Sequence, residues 1–371
     1  MHAHPHPHGH PPATGPLSGA LRLVAWETTR SCNLTCKHCR AAAEMGPYPG
    51  ELDTEAGLRL LDQIADVGKP IIILTGGEPL MRDDIFTLAK HGTDLGLRMV
   101  MAPNGTLINE ASAQQMAESG IQRISISLDG ATKEKHDTFR GVDGAYTAAL
   151  EGIRHARNAG VDFQINTTIT QYNLEEIPRI LSLAESLGAV AHHIFLLVPT
   201  GRGKYLIDKE ISSLQYEDTL NWFYDQREAT DLQLKATCAP HYYRILRQRA
   251  REDGTPVTFD AFGLDAVTRG CLGGTGFCFV SHTGIVQPCG FLDLNCGDVT
   301  QQPFSEIWQH SKIFNELRNP DAYKGKCGRC EYNRVCGGCR ARAYEATGDH
   351  MAAEPLCTYQ PKKKMRRPQH A

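Results

Sequence analysis

The sequence predicts an α/β fold built on a parallel sheet, and three observations carry that expectation. Between residues 21 and 200, short β-branched or aromatic runs alternate with amphipathic helical patterns. Six such runs occur, each closed by Gly, Pro, Asn or Asp. Repeated βα units of this kind cover both faces of a sheet, which requires parallel strands arranged either as a doubly wound sheet or as an incomplete (β/α)6 barrel.

The elements follow in order. LRLVAWE (21–27) is the first strand and leads into a loop rich in cysteine. Asp53 or Thr54 then caps a helix whose Leu58, Leu61, Ile64 and Ala65 fall on one face. IIILTGG (71–77), RMVMAPNG (98–105), RISISLDG (123–130), FQINTTIT (163–170) and HHIFLLVPT (192–200) supply the remaining strands. Helical patterns occupy Asn109 to Ser119, Ala145 to Ala159 and Asn173 to Leu187. Every polar motif falls at the C-terminal end of a strand, where α/β folds build their sites. This core spans 21–204. Residues 205–267 predict a helical bridge in which Trp222, Phe223 and Tyr224 pack. From Thr268 to Tyr359 glycine and cysteine become dense and periodicity fades. So small a region with so few apolar residues is not held by burial alone, and bound metal must supply much of its order. The ends, a His/Pro-rich stretch (1–20) and a basic stretch (360–371), predict disordered tails.

Composition bounds the function. The chain has 371 residues, 41% of them hydrophobic, and a formal net charge of −3, the profile of a soluble globular protein. No apolar run approaches the roughly 20 residues of a membrane span. The near-neutral charge gives no general pull toward nucleic acid. MHAHPHPHGHPP matches neither a signal nor a transit peptide, so a cytoplasmic protein is expected.

Thirteen cysteines in a reduced compartment point to metal rather than disulfides. Cys32, Cys36 and Cys39 form one group, spaced C-x3-C-x2-C; Cys238 stands alone; the other nine lie between Cys271 and Cys357. Two separate metal-binding regions are implied. A closed zinc site needs four ligands, whereas three thiolates on a four-iron cubane leave one iron open. His38 lies between two of the cysteines and reads as a loop residue rather than the fourth ligand.

The C-x3-C-x2-C run on the loop after the first strand resembles the signature of the radical S-adenosylmethionine (radical SAM) enzymes. Other segments carry the same resemblance. Gly76-Gly77-Glu78-Pro79 resembles the family's GGEP motif, which implies that Glu78 and nearby backbone hold the methionyl ammonium. Asn104 of PNG and Ser127 of SLDG resemble segments near the nucleoside, and Arg140 of HDTFRG a residue near the cofactor carboxylate. The likeness implies an incomplete (β/α)6 TIM-type barrel, a [4Fe–4S] cluster on Cys32, Cys36 and Cys39, and S-adenosylmethionine on its open iron.

The downstream cysteines resemble the SPASM extension of these enzymes, which carries one or two auxiliary [4Fe–4S] clusters. The resemblance implies one site from Cys327, Cys330, Cys336 and Cys357, and another from Cys271, Cys278, Cys289 and Cys339. One spacing departs from the pattern, since CGGC separates Cys336 and Cys339 by two residues where SPASM has three. Zinc knuckles also use C-x2-C pairs, but the upstream motif favours iron–sulfur. Cys238 and Cys296 read as ordinary small residues.

LVAWETTRSCNLTCKHCRA, HHIFLLVPTGRG, KATCAPHYYR and AEPLCTY resemble the tetrapyrrole-modifying branch, most specifically the heme synthases of the siroheme-dependent pathway. That likeness runs from Leu21 to Tyr359. It implies oxidative decarboxylation of two propionates of Fe-coproporphyrin III to vinyl groups, with an unidentified electron donor. Arg202, Lys204 and Arg244 are candidate partners for the propionates; His192, His193, His241 and Tyr242 are candidates to approach the porphyrin. Rival readings are a didecarboxysiroheme deacetylase, a peptide or sulfatase maturase, and a non-catalytic iron–sulfur electron carrier. Only about 20 residues precede the first strand, whereas several peptide maturases carry a leader-binding domain there.

Overall fold

A computed structural model of the chain describes residues 19–362; the His/Pro-rich stretch to residue 18 and the basic stretch from residue 363 lie outside. Seven parallel strands form the body of the sheet: β1 (Leu23–Thr29), β2 (Ile71–Gly76), β3 (Arg98–Met101), β4 (Arg123–Ser127), β5 (Asp162–Ile169), β6 (Ala191–Leu196) and β7 (Gln233–Thr237). All six expected strands are present. They neighbour one another in chain order, the order of an incomplete barrel rather than of a doubly wound sheet, where it reverses.

Up to residue 252 the α-helices are α1 (Thr54–Val67), α2 (Ile85–Asp94), α3 (Glu110–Glu118), α4 (Lys133–Arg140), α5 (Ala145–Asn158), α6 (Ile177–Leu187), α7 (Ser213–Asp225) and α8 (His241–Glu252). Asp53 is the cap of α1 and accepts from the Ala56 amide at 2.8 Å. Asn109 and Ser112 close a reciprocal capping box on α3. Leu60, Leu61 and Ile64 of α1 are fully buried against the sheet, each worth about 2 kcal/mol of apolar burial. Gly57 lets α1 close on the sheet, since a Cβ there would lie 2.7 Å from the Trp26 ring.

Strand alternation divides the side chains. Trp26, Ile72, Leu74, Met99, Ile126 and Ile165 enter the helix-covered core. The register places Arg123, Ser127, Gln164, Asn166, His193 and Lys235 together on the other face. Polar side chains line that face, which lies opposite the core on which α1, α2, α3, α5 and α6 pack.

Two segments fold differently from expectation. The 205–267 region is helical in α7 and α8, but QLKAT between them is β7, paired in parallel with β6. Its alternation is real but polar on one side, so it lacks the apolar signature of its neighbours. The cysteine-rich region is not a separate body either. Its strands β8 (Phe277–Val280), β9 (Ile285–Gln287) and β10 (Gly297–Asp298) continue the sheet on the other side of β1, giving the order β10-β9-β8-β1-β2-β3-β4-β5-β6-β7. The first strand and the strands of the cysteine-rich region thus share one sheet.

Candidate active site and metal centres

The loop after β1 brings Cys32, Cys36 and Cys39 into one small apolar cluster with Leu34, Ala41 and Ala43. The Leu34 amide points at the Cys32 sulfur and the Ala43 amide at the Cys39 sulfur, both at 3.4 Å. Such donors favour thiolate over thiol. Cations pin the loop from outside. Arg30 donates to the Ala41 carbonyl at 3.0 and 2.5 Å; Arg202 donates to the carbonyls of Cys36 at 2.8 Å and Ala43 at 2.7 Å. Arg202 thus holds the cysteine loop through Nε and Nη1, while its buried Nη2 has no partner. His38 stacks on Phe139 with centroids 4.3 Å apart. Burial holds it neutral, at about 4.

The GGEP segment clamps this loop. The Gly77 amide donates to the Thr29 carbonyl and the Glu78 amide to the Ser31 carbonyl, both at 2.8 Å. A Cβ on Gly77 would stand 2.3 Å from the Ser31 carbonyl oxygen, so only glycine permits the approach. The Glu78 carboxyl is fully buried and accepts from the amides of Leu80 (3.0 Å) and Asn104 (2.6 Å). Burial pushes it up to about 7 against those hydrogen bonds. An ammonium beside it would restore the ionised form.

The Asn104 side chain donates to Asn33 Oδ1 at 2.7 Å and accepts from the Thr106 amide at 2.8 Å, bracing the residue that follows Cys32. Ser127 ends β4 on the polar face. Arg140 is buried, not a surface residue. It lies 2.5 Å from Asp129 and 3.6 Å from the Cys36 sulfur. Burial alone would raise the Asp129 carboxyl, but the Arg140 charge outweighs it and holds Asp129 below the usual range. The sequence reading did not single out Asp129; a lone acid in a strand-end turn gives no further signal.

Cys327, Cys330, Cys336 and Cys357 line one recess with His241 and Arg244. The Glu354 amide points at Cys327 and the Gly338 amide at Cys336, each at 3.4 Å, and Arg340 lies 3.5 Å from Cys327. Four convergent thiols with amide and guanidinium donors suit a thiolate-bound cluster. Among the described residues no group of three ligands converges tightly enough for a single metal ion.

Cys339 belongs elsewhere. Gly337 and Gly338, at φ +76° and +63°, reverse the chain after Cys336. Cys339 then packs in an apolar cluster with Cys289 and lies within electrostatic range of Cys271. The short CGGC spacing is thus accommodated by two left-handed glycines. Cys278 departs from expectation. It is fully buried on β8 opposite Val24, inside the main core, and the thiol acting on it is Cys296. Strand alternation turns it away from Cys271, Cys289 and Cys339.

Other expected contacts also differ. Arg244 is buried and bonded to Glu217 (2.5 Å) and Gln248 (2.6 Å), and Lys204 pairs with Glu345 at 3.5 Å. His192 faces the core, 3.0 Å from Thr167 Oγ1, whereas His193 lies on the polar face, 2.8 Å from Gln164. Tyr242 packs in the core; His241 is fully buried beside the four-cysteine recess, with both ring nitrogens unpartnered. Glu27 was missed altogether. It accepts from Arg40 at 3.1 Å and faces His282 Nδ1 at 2.7 Å, joining β1, the cysteine loop and the β8–β9 turn. An acid inside an apolar strand was the available signal.

Comparison with known proteins agrees with this geometry. Residues 26–184 match the radical SAM superfamily, and residues 271–340 match the SPASM iron–sulfur cluster-binding domain. These domains bind a [4Fe–4S] cluster with S-adenosylmethionine and auxiliary iron–sulfur clusters, respectively. An AdoMet-dependent heme synthase from Nitratidesulfovibrio vulgaris is 60% identical over 93% of this chain and 94% of its own. An Fe-coproporphyrin III synthase from Methanosarcina barkeri is 32% identical over 90% and 87%. Among solved structures, Streptococcus suis SuiB bound to S-adenosylmethionine shares the fold, with a TM-score of 0.72 and 16% identity over 92% of this chain and 78% of its own. With its three-cysteine loop, GGEP clamp and C-terminal thiol sites, the chain belongs to the SPASM-bearing radical SAM enzymes, in the family of the AdoMet-dependent heme synthases.

Proposed function

We propose that this protein converts two propionates of Fe-coproporphyrin III into vinyl groups, yielding heme b. The observation that carries the reading is the 60% identity to an AdoMet-dependent heme synthase, sustained over 93% of the chain. Once bound on Cys32, Cys36 and Cys39, a reduced [4Fe–4S] cluster supplies the electron that cleaves S-adenosylmethionine to methionine and a hydrogen-abstracting 5′-deoxyadenosyl radical. Each conversion removes one hydrogen atom, one CO2 and one electron from a propionate and leaves a vinyl group.

The protein's part is placement and exclusion of water. Glu78, buried and acceptor-only when ionised, holds the cofactor ammonium. Asn104, through Asn33, keeps the Cys32 loop in place. Ser127 and Arg140 flank the remaining cofactor groups at the ends of β4 and α4. The polar face of the sheet takes the tetrapyrrole, with His193 toward the macrocycle and Lys235 and Arg123 toward carboxylates. Burial lowers Lys235 despite the charge of Asp265, and burial together with neighbouring Arg98 lowers Arg123. Cations held below their usual range gain most from an incoming carboxylate.

The test is direct. Anaerobically reconstituted protein is mixed with S-adenosylmethionine, a reductant and Fe-coproporphyrin III, and products are read by mass spectrometry. Heme b with about two 5′-deoxyadenosines per turnover is expected. No porphyrin product, with deacetylation of didecarboxysiroheme or modification of a peptide instead, would overturn the reading.

A further inference from the structure

We infer that Cys238, which lies outside the SPASM match, is the fourth thiolate of the auxiliary site containing Cys271, Cys289 and Cys339. Cys238 follows β7, on the radical SAM sheet. Cys238 and Cys289 pack against Cys339 in one cluster with Val198, Leu292 and Ala341. Cys238 also lies within electrostatic range of Cys271, as does Cys289. Cys278, the residue that the motif would supply, is in the main core with Cys296.

The backbone is built to hold this arrangement. Cys238 has φ +54°, and besides Ala42 it is the one non-glycine residue at positive φ among the described residues. That conformation is strained for a residue with a Cβ. Arg342 and Tyr216 donate to the Cys238 carbonyl at 3.1 and 3.2 Å and fix it. Two residues on, Pro240 presses against Gly270, where a Cβ would lie 2.5 Å from the Pro240 Cα. Gly270 and Cys271 are in turn tied to Val335 and Cys336 by backbone hydrogen bonds of 2.8 and 3.3 Å. The loop of Cys238 is therefore locked onto the segment that carries Cys271.

The consequence concerns the chemistry open to the site. Four protein thiolates on a four-iron cluster leave no iron free for substrate, which restricts the site to passing electrons. The loop after β7 and the C-terminal region then share this one cluster, which neither completes alone.

The experiment needs no substrate, so its outcome is separate from that of the proposed reaction. In a Cys32/Cys36/Cys39→Ala background, Cys238→Gly is compared with Cys278→Ala for iron, sulfide and the electron paramagnetic resonance of the reduced protein. Glycine suits the positive φ, so a merely structural Cys238 would tolerate it. Cys238→Gly should lower iron from about eight to as few as about four per chain, or change the resonance of one cluster while the other persists. Cys278→Ala should leave both unchanged. Full iron and an unaltered spectrum in folded Cys238→Gly, checked by circular dichroism, would overturn the assignment. So would loss of a cluster from folded Cys278→Ala.

Discussion

Gly77→Ala tests whether the GGEP segment acts first as a clamp on the cysteine loop. A Cβ at this position would lie 2.3 Å from the Ser31 carbonyl oxygen, 2.4 Å from that of Arg30 and 2.7 Å from the Ser31 carbonyl carbon. Real contacts of this kind do not fall below 3.0 Å, so the loop must retreat by at least 0.7 Å, and all three clashing atoms are backbone. No side chain is available to swing aside. The retreat stretches the 2.8 Å hydrogen bonds from Gly77 and Glu78 and drags Cys32, the residue after Ser31. Overpacking of this kind costs about 1–3 kcal/mol, and it falls directly on a metal ligand. Gly68→Ala is the control, because nothing lies within 4 Å of its Cβ and its φ is extended. Reconstituted Gly77→Ala should lose most of the iron of the first site and at least tenfold of its 5′-deoxyadenosine formation, while Gly68→Ala matches the parent. Parent-like iron and cleavage in Gly77→Ala would refute the clamp.

Three further outcomes are expected. Cys32→Ala, Cys36→Ala or Cys39→Ala should abolish S-adenosylmethionine cleavage while the C-terminal sites keep their iron, as measured by 5′-deoxyadenosine release and metal analysis. Replacing both Cys327 and Cys330 by Ala should spare 5′-deoxyadenosine release and block vinyl product, provided circular dichroism and first-cluster iron show a folded protein. The Glu27 carboxyl is raised by burial, but the His282 hydrogen bond and Arg40 outweigh this and bring it from 4.5 to about 2. A carboxylate depressed in the folded state stabilises above about pH 4.5 and loses that contribution as pH falls toward 2; the shift corresponds to about 3 kcal/mol. Glu27→Gln should lower the anaerobic melting temperature at pH 7 and flatten its decline between pH 5 and 3. An unchanged acid limb would show that Glu27 does not carry it.

The order of strands, the first cysteine site and the GGEP motif were legible because each is local. Strand alternation, a cap such as Asp53 and a C-x3-C-x2-C spacing are set by residues within a few positions of one another. The family resemblance then implied the cofactor. Pairings across the chain were not legible. Nothing near QLKAT says that it adds to β6, and nothing near Cys278 says that pairing with β1 turns its thiol into the core. Arg202 read as a substrate contact because its partners, the carbonyls of Cys36 and Ala43, lie some 160 residues away. Cys238 looked ordinary for the same reason, since its neighbours Cys271, Cys289 and Cys339 arrive from a sheet extension and a glycine turn. Sequence determines which thiols exist and which local turns can present them; only the joining of β8 to β1 in one sheet decides which thiols meet, because burial, not spacing, sets contacts at long range.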